Sequence, residues 1–402
     1  MTGNTRQVMY LSALCASVAL TSASPALSQL SASQPSPSPL AYIYVARPTH
    51  IDGFAAAADG RLTPVPGSPF ANTNVTKLSV TKKFLLGESG NGFFVTSYAI
   101  AANGSLTKAS TLDTRPYVPE QPCVIAPDIQ VDTAGSTLYY QEEDESCGDD
   151  TTAYLSFHIE SDGGFQYLGP SGGYIDPTAQ GPTFSLSMLG NGKFAYDGSC
   201  QEDNGNTSDI NIYKRETNGL LTYINQDNYA PEGKSGEKYC SGLVAADSQN
   251  HLAVALQRID GQNGDNGPLY GPWFLASYTA GSSGNLTTTS TAVNMPEVSV
   301  GGQYDVDAMS ISPDNKYVAV SGEANGFEIF HFNGGSPVTK YSGVFLPRVS
   351  VYQFGWDKAD HLYAVGGGNV YVFTVTSTSI RQAPGSPYSI PENGGLIVRD
   401  LE

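Results

Sequence analysis

Positive charge is scarce in this sequence of 402 residues. Only 20 lysine and arginine residues stand against 38 aspartate and glutamate residues, and the formal net charge at pH 7 is −18. Proteins bind nucleic acids and anionic membrane surfaces chiefly through lysine and arginine. We therefore expect no nucleic-acid partner. A sugar, a cation or another small molecule suits this composition better.

Long apolar runs are also missing. The run from Val8 to Leu20 is too short to span a bilayer. It follows Arg6 and precedes small residues that end at Ser28, which is the arrangement of a secretory signal peptide. We expect residues 1–28 to be that signal peptide, and we expect the mature protein to be secreted or periplasmic without membrane insertion.

Familiar catalytic signatures do not occur either. The sequence has no G-x-S-x-G nucleophile elbow of serine hydrolases, since its match to that pattern at residues 169–173 lies in a Gly/Pro-rich stretch and not ahead of a helix-forming run. It also has no H-E-x-x-H motif of zinc proteases. A Gly-Lys-Ser stretch at residues 233–235 lacks the first glycine and the strand-to-helix context of a phosphate-binding loop. No cofactor is therefore required by any motif, and a serine hydrolase or a zinc protease is not expected.

What the sequence does contain is typical of a β-rich fold. Residues 29–39 form a Ser/Pro-rich linker. The whole chain contains 44 glycines and 24 tyrosines, and only 14% of its residues are charged. Many short strands joined by tight turns have this composition. Repeated β folds run long as single units, so we predict one domain over residues 40–402.

A recurring turn predicts the architecture. Asn-Gly and Asp-Gly pairs supply the positive φ angles of a two-residue β-hairpin, and each is followed by another strand. Seven such turns, the last of them degenerate, occur at residues 58–62, 102–106, 161–165, 217–221, 282–286, 333–337 and 376–380. Together with the strand runs between them, they predict a seven-bladed β-propeller with four-stranded antiparallel blades.

The two chain ends complete this prediction. Six blades begin with a run that can serve as the innermost strand, whereas the first blade starts directly at Ala41–Val45. The run Gly395–Asp400 at the other end of the chain is the missing innermost strand. A C-terminal strand in the N-terminal blade closes the ring and leaves no exposed sheet edge.

A family resemblance follows from the repeat. The mature chain, and above all DGRLTPVPGSPF (residues 59–70) with ISPDNKYVAVSG (residues 311–322), resembles exported propellers of the 6-phosphogluconolactonase-like (lactonase) and YVTN-repeat families. The resemblance implies a seven-bladed fold and, as a reaction, the hydrolysis of a sugar lactone, a carboxylic ester. It supplies no motif that would assign a catalytic residue.

Long loops are predicted on one face of the propeller. The connections between blades, and those between the second and third strands of each blade, share a face that we call the loop face. They hold the long insertions, such as residues 111–124, 145–153, 227–241 and 258–272. Long loops on a rigid scaffold are where binding sites are usually built, so we place the functional site there.

Ionisable residues on the loop face are the candidates for this site. We predict a catalytic set near the channel mouth, since paired carboxylates can perform acid–base chemistry, comprising His50, Asp128, Asp307 and Arg258. A predicted ligand-binding set surrounds it and comprises Arg47, Glu88, Glu143, Asp197, Glu323 and Arg348. His251 and His361 begin second strands on the opposite face, and we expect them to be structural.

Four cysteines remain after export, and three pairings are possible in principle. The predicted blades favour Cys123 with Cys147 and Cys200 with Cys240, because each bridge then stays within or beside one blade. Three loops rich in Asp, Glu and Asn, at residues 142–150, 202–209 and 260–267, have a composition that suits Ca²⁺. Ordinary polar loops have the same composition, so both interpretations of these loops stay open.

Two functions follow from these expectations. In one, the loop face binds a small molecule and hydrolyses a sugar lactone. In the other, a non-catalytic binding or scaffold protein recognises a carbohydrate, a peptide or a component of the cell envelope. We expect a monomer in either case.

Overall fold

The computed structural model describes residues 38–71, 74–117, 128–143, 152–171, 186–200, 208–228, 231, 238–262, 268–301, 306–322, 325–390 and 394–401. The predicted signal peptide and most of the predicted linker lie outside these residues. The described part consists of β-strands and one turn of 3-10 helix at Arg115–Tyr117. It contains no helix that is long and apolar enough to cross a membrane.

The strands form seven antiparallel blades, which confirms the predicted fold class. Blade 1 contains β1 (Ala41–Ala46), β2 (His50–Ala56), β3 (Leu62–Pro64), β4 (Phe70–Ala71) and the C-terminal β31 (Leu396–Asp400). Blade 2 contains β5 (Val75–Val80), β6 (Phe84–Ser89), β7 (Phe94–Ile100) and β8 (Leu106–Asp113). Blade 3 contains β9 (Asp128–Val131), β10 (Thr137–Glu143), β11 (Thr152–Ile159) and β12 (Phe165–Ser171).

The second half of the ring repeats this order. Blade 4 contains β13 (Ser187–Met188), β14 (Phe194–Cys200), β15 (Ser208–Arg215) and β16 (Leu221–Asn228). Blade 5 contains β17 (Lys238–Ala246), β18 (His251–Gln262), β19 (Pro268–Ala280), β20 (Leu286–Thr287) and β21 (Glu297–Val298). Blade 6 contains β22 (Val306–Ile311), β23 (Tyr317–Gly322), β24 (Phe327–Asn333) and β25 (Ser336–Lys340). Blade 7 contains β26 (Val351–Trp356), β27 (His361–Gly366), β28 (Asn369–Val375), β29 (Ile380–Gln382) and β30 (Tyr388–Ser389).

The C-terminal strand closes the ring as predicted. β31 pairs antiparallel with β1, from Val45 opposite Leu396 to Ala41 opposite Asp400. Leu396 is fully buried in a core cluster that joins blade 1 to blade 7. Both ends of the described chain therefore belong to one sheet, and the ring depends on the last strand.

The hairpin turns also join neighbouring blades, which explains why glycine recurs in them. At six turns the glycine has positive φ and lies so close to the preceding blade that an added Cβ would meet a side chain there at 2.6–3.2 Å. Buried hydroxyls of the preceding blade donate to the same turns, as Tyr44 does to the Gly104 carbonyl (2.8 Å) and Tyr196 to the Gly284 carbonyl (2.8 Å). The repeated turn is thus a contact between blades as well as a chain reversal.

A second repeated motif builds the outer edge of blades 1 and 7. The sequence PGSP occurs at residues 66–69 and 384–387. In each copy the serine hydroxyl accepts a hydrogen bond from a third-strand amide, Ser68 from Gly53 (2.9 Å) and Ser386 from Val372 (2.8 Å). The chain then continues into a two-residue strand, β4 or β30, that pairs with the same third strand.

Blade 5 differs from the predicted loops. Residues 258–272 were expected to form a loop, but β18 extends to Gln262 and β19 begins at Pro268, so most of this insertion is paired strand. Likewise β17 begins at Lys238, inside the expected connection 227–241. The glycine- and aspartate-rich sequence indicated turns, whereas three adjacent strands satisfy one another's backbone groups. Blade 5 therefore carries a three-stranded ribbon on the loop face.

A candidate binding site in the central channel

The seven inner strands surround a central cavity of about 420 Å³. Residues from every blade line it, from Ile397 of β31 in blade 1 to Gln353 of β26 in blade 7. A volume of this size lies within the usual range for sites that hold a small molecule. The cavity is therefore the candidate site, and its lining decides what it can bind.

The lining changes in character along the channel. At the loop-face end, where the inner strands begin, it contains Lys77, Asp128, Asp307 and Tyr352. The middle offers hydroxyl and amide groups from Ser79, Gln130, Ser187 and Gln353, and the far end is mainly apolar, with Val80, Val131, Met188 and Ile311. Among the described lining residues, the charged groups thus lie at the loop-face end and the hydroxyl and amide groups lie next to them in the middle.

Two of the predicted catalytic residues line this cavity. Asp128 begins β9 and is half-buried, and its Oδ1 accepts a hydrogen bond from the Ile129 amide (2.8 Å). Asp307 follows the first residue of β22 and is exposed. Both line the cavity. A ligand at the loop-face end of the cavity would therefore lie beside these two residues.

Glu88 lies behind the cavity wall rather than on it. It is fully buried in β6, opposite Lys77 of β5, and its Oε2 accepts a hydrogen bond from the Thr76 hydroxyl (2.9 Å). Its Oε1 has no hydrogen bond of ordinary geometry among the described atoms. Burial raises the pKa of Glu88 to about 7, against the opposing effects of Thr76 and Lys77, and the nearby Asp128 carboxylate adds a smaller rise.

Asp197 is also fully buried, in a polar cluster between blades 3 and 4. Its carboxylate accepts hydrogen bonds from the Tyr154 hydroxyl (2.6 Å) and the Asn211 amide (2.6 Å). Burial raises the pKa of Asp197 to about 6, and these hydrogen bonds oppose the rise. The cluster holds a buried carboxyl group away from the cavity lining, so a direct role of Asp197 in ligand binding stays a prediction.

The remaining predicted catalytic residues do not line the cavity. His50 begins β2 on the rim of blade 1, and its Nδ1 lies 2.8 Å from the Thr49 hydroxyl. Arg258 lies in the ribbon of blade 5, where its Nε and Nη2 contact the Asp260 carboxylate at 2.5 and 3.2 Å. Asp128 and Asp307 therefore both line the channel, whereas His50 and Arg258 do not.

The other predicted ligand-binding residues are dispersed over the loop face. Arg47 pairs with Asp52 at 2.5 Å, and both side chains are only 12% exposed. Arg348 is exposed in the connection between blades 6 and 7. Glu143 ends β10, but its side chain lies outside the described atoms, and Glu323 lies outside the described residues. A binding role for these four residues stays a prediction.

The opposite face holds two Asp–His pairs, which the sequence interpretation had set aside as structural. Asp247 contacts His251 Nδ1 at 2.7 Å, and Asp357 contacts His361 Nδ1 at 2.8 Å. In both pairs the aspartate also accepts the backbone N–H of that histidine, which fixes the turn between the first two strands. Each histidine packs against a turn glycine of the next blade. These contacts give both histidines a structural role.

The predicted calcium sites fall largely on residues that are not described. Among the described residues, no group of three or more His, Cys, Asp or Glu side chains could hold a metal ion. The centres of the three polar loops, at residues 144–151, 201–207 and 263–267, lie outside the described part. Calcium binding in these loops stays a prediction.

Several solved structures share this fold. A Bacteroides fragilis protein provisionally described as a 6-phosphogluconolactonase is 15% identical, with a TM-score of 0.63 over 91% of this chain and 100% of its own. A Bacteroides uniformis protein with the same provisional description is 13% identical, with a TM-score of 0.62 over 89% and 99% of the two chains. A Lactobacillus plantarum protein is 14% identical, with a TM-score of 0.61 over 90% and 100%.

These similarities concern the fold. No family model matches the sequence, and no curated protein matches it. At 13–15% identity the solved structures establish that the chain has the seven-bladed architecture of lactonase-like propellers. They do not assign an activity, because one fold serves many functions.

Proposed function

We propose that the chain binds a small, hydroxyl-rich molecule at the loop-face end of the central cavity and that it hydrolyses this ligand as a sugar lactone. The observation that carries the proposal is the cavity of about 420 Å³, which has carboxylates at its loop-face end and hydroxyl and amide groups in its middle. Such groups match the hydroxyls of a sugar. The likeness to two provisionally described 6-phosphogluconolactonases supports the choice of a lactone.

The chemistry requires a base beside bound water. In the proposed reaction, Asp128 or Asp307 accepts a proton from a water molecule as its oxygen attacks the lactone carbonyl. The ring carbon–oxygen bond then breaks, and the ring oxygen takes up a proton to give the open hydroxy acid. One water molecule is consumed, and the carboxylate is regenerated when it releases its proton.

A direct assay tests this proposal. With D-glucono-1,5-lactone as substrate, we expect Asp128→Asn or Asp307→Asn to lower the enzymatic rate by on the order of 10²-fold, because a general base contributes at least that much. Glu297→Gln is the matched control, since Glu297 is exposed on β21 and does not line the cavity. Equal rates in all variants would place the chemistry elsewhere.

A non-catalytic binder would behave differently in the same preparation. Calorimetry with the lactone and with neutral sugars would then show binding without turnover. If the protein neither binds nor hydrolyses these compounds, the proposed function as a whole is contradicted.

We also propose export to the periplasm or the cell exterior and a disulfide between Cys200 and Cys240. Gly198 of β14 packs directly against the carbonyl of Gly242 in β17. The inner strands of a propeller all run in the same direction, and the second strand of each blade runs in the opposite direction. Because β14 is the second strand of blade 4 and β17 is the inner strand of blade 5, the two run in opposite directions. Cys200, two residues after Gly198, then lies level with Cys240, two residues before Gly242. This placement supports the pairing.

Peptide mapping without reduction tests the pairing. We expect a Cys200–Cys240 peptide from protein purified after export, and the bridge would stabilise the fold by about 4 kcal/mol on the chain-entropy estimate for a loop of about 40 residues. Cys123 and Cys147, the other predicted pair, lie outside the described residues. A Cys200 bridge to either of them, or free thiols, would contradict the prediction.

A further inference from the structure

We propose that the ligand of the central cavity carries no phosphate group and is uncharged or cationic. This inference rests on the proposed function and names the substrate class of the same site. It separates this chain from the activity provisionally described for its structural neighbours, whose substrate is a phosphorylated lactone.

The charge of the cavity wall is the first observation. The charged residues in the described lining are the carboxylates of Asp128 and Asp307 and the ammonium group of Lys77. The buried Glu88 lies directly behind Lys77, as its partner in the β5–β6 ladder. Among the described lining residues alone, a phosphate group at the loop-face end would meet two carboxylates and one ammonium group.

The engagement of two of the loop-face arginines, Arg47 and Arg258, is the second observation. Phosphate groups in proteins are commonly held by arginine through paired hydrogen bonds. Arg47 already makes two contacts with Asp52, at 2.5 and 3.1 Å, in a pair that is largely buried. Arg258 likewise makes two contacts with Asp260. Using either guanidinium for a phosphate would require breaking its pair with a carboxylate.

Coulomb repulsion decides between the two classes of lactone. Two like charges a few ångströms apart near a protein surface repel each other strongly, before screening by salt. A doubly charged phosphate placed beside Asp128 or Asp307 would suffer this repulsion, whereas a neutral sugar would not. The hydroxyl and amide groups of Ser79, Ser187 and Gln353 serve the neutral sugar equally well.

The first experiment compares D-glucono-1,5-lactone with its 6-phosphate as substrates of the whole mature protein. We expect kcat/KM to be at least tenfold higher for the unphosphorylated lactone at 50 mM salt. The difference should shrink at 1 M salt, where charges are screened over about 3 Å. Equal or better use of the phosphorylated lactone would overturn the inference while leaving the proposed function intact.

Two variants sharpen this comparison. Asp307→Asn should reduce the preference for the unphosphorylated lactone, and Lys77→Met should increase it. The readout is the ratio of the two kcat/KM values within one variant, so a general loss of activity cancels. A ratio that neither variant changes would mean that these side chains do not set the charge seen by the ligand, which would contradict the inference.

A second experiment measures the charge of the channel mouth without any substrate. Tyr352 lines the cavity and is 49% exposed, whereas the two native tryptophans are buried. In Tyr352→Trp we expect caesium to quench the new fluorescence more strongly than iodide. Val293→Trp is the matched control, because Val293 is 87% exposed and lies away from the cavity lining.

The two experiments together separate the possible failures. A larger caesium-to-iodide ratio at position 352 than at position 293 supports a negative channel mouth even if neither lactone is hydrolysed. In that case the proposed hydrolysis fails and the charge inference stands. A smaller ratio at position 352 overturns the inference.

Discussion

Removing Gly395–Glu402 should lower the melting temperature of the protein by on the order of 10 °C. The truncation deletes β31, which supplies five paired positions to β1 and the fully buried Leu396. Burial of a leucine side chain alone contributes about 2–3 kcal/mol, and the unpaired β1 would add exposed backbone groups. Each kcal/mol corresponds to about 2 °C in a domain larger than 150 residues.

Two shorter changes serve as controls for this truncation. Removing only Leu401 and Glu402 keeps all of β31 and should have a small effect. Leu396→Ala keeps the ladder but leaves a cavity, so it should cost about 2–5 kcal/mol and fall between the other two. If the protein without Gly395–Glu402 has the same melting temperature as the wild type, closure of the ring contributes nothing to stability. Differential scanning calorimetry makes the comparison.

The ring closure was predictable because its signals are local. Asn-Gly and Asp-Gly turns mark hairpins wherever they occur, and counting the strands between them left one strand missing from the first blade. The recurrence of the turns around the chain then required the strand at Leu396–Asp400. The sequence interpretation did not show that the turn glycines also face the preceding blade, because that approach depends on how neighbouring blades are packed.

The blade 5 ribbon was not predictable in the same way. Its sequence between Arg258 and Pro272 is rich in glycine, aspartate and asparagine, which usually mark loops. The paired backbone of β17, β18 and β19 outweighs these local preferences. Strand propensity is a weak guide where neighbouring strands supply the hydrogen bonds.

The candidate site was predictable only in part. Asp128 and Asp307 could be placed at the channel because each stands at the start of an inner strand. The burial of Glu88 could not be predicted, because the end of a second strand can lie on the surface or between blades. Blade 3 offered an indirect signal, since Gln141, which is also buried, occupies the position in β10 that corresponds to Glu88 in β6.

The buried carboxyl groups make stability depend on pH. The folded protein favours the protonated form of Glu88, whose pKa rises from 4.5 to about 7, and that of Asp197, whose pKa rises from 3.8 to about 6. A carboxyl group with a raised pKa binds its proton more tightly in the folded state. The stability that these two groups contribute is therefore fully present below their unfolded pKa values and is lost as pH rises through about 4 to 7.

Glu88→Gln should remove most of the contribution of Glu88 to the pH dependence of stability. A rise from 4.5 to about 7 corresponds to a loss of on the order of 3 kcal/mol as pH rises from about 4 to 7 in the wild type. Denaturant unfolding at several pH values measures it, and the variant should show a flatter curve than the wild type. Glutamine suits the test because Gln141 is accommodated at the corresponding position of blade 3.

The high net negative charge of the chain also lowers stability as pH rises, through repulsion among many carboxylates. Only the difference between variants therefore isolates Glu88. Glu297→Gln removes an exposed carboxylate and the same formal charge, so it should leave the shape of the curve nearly unchanged. If both variants flatten the curve equally, the dependence arises from net charge and not from the proton held behind Lys77. If only Glu88→Gln flattens it, the buried carboxyl group beside the channel mouth is the source.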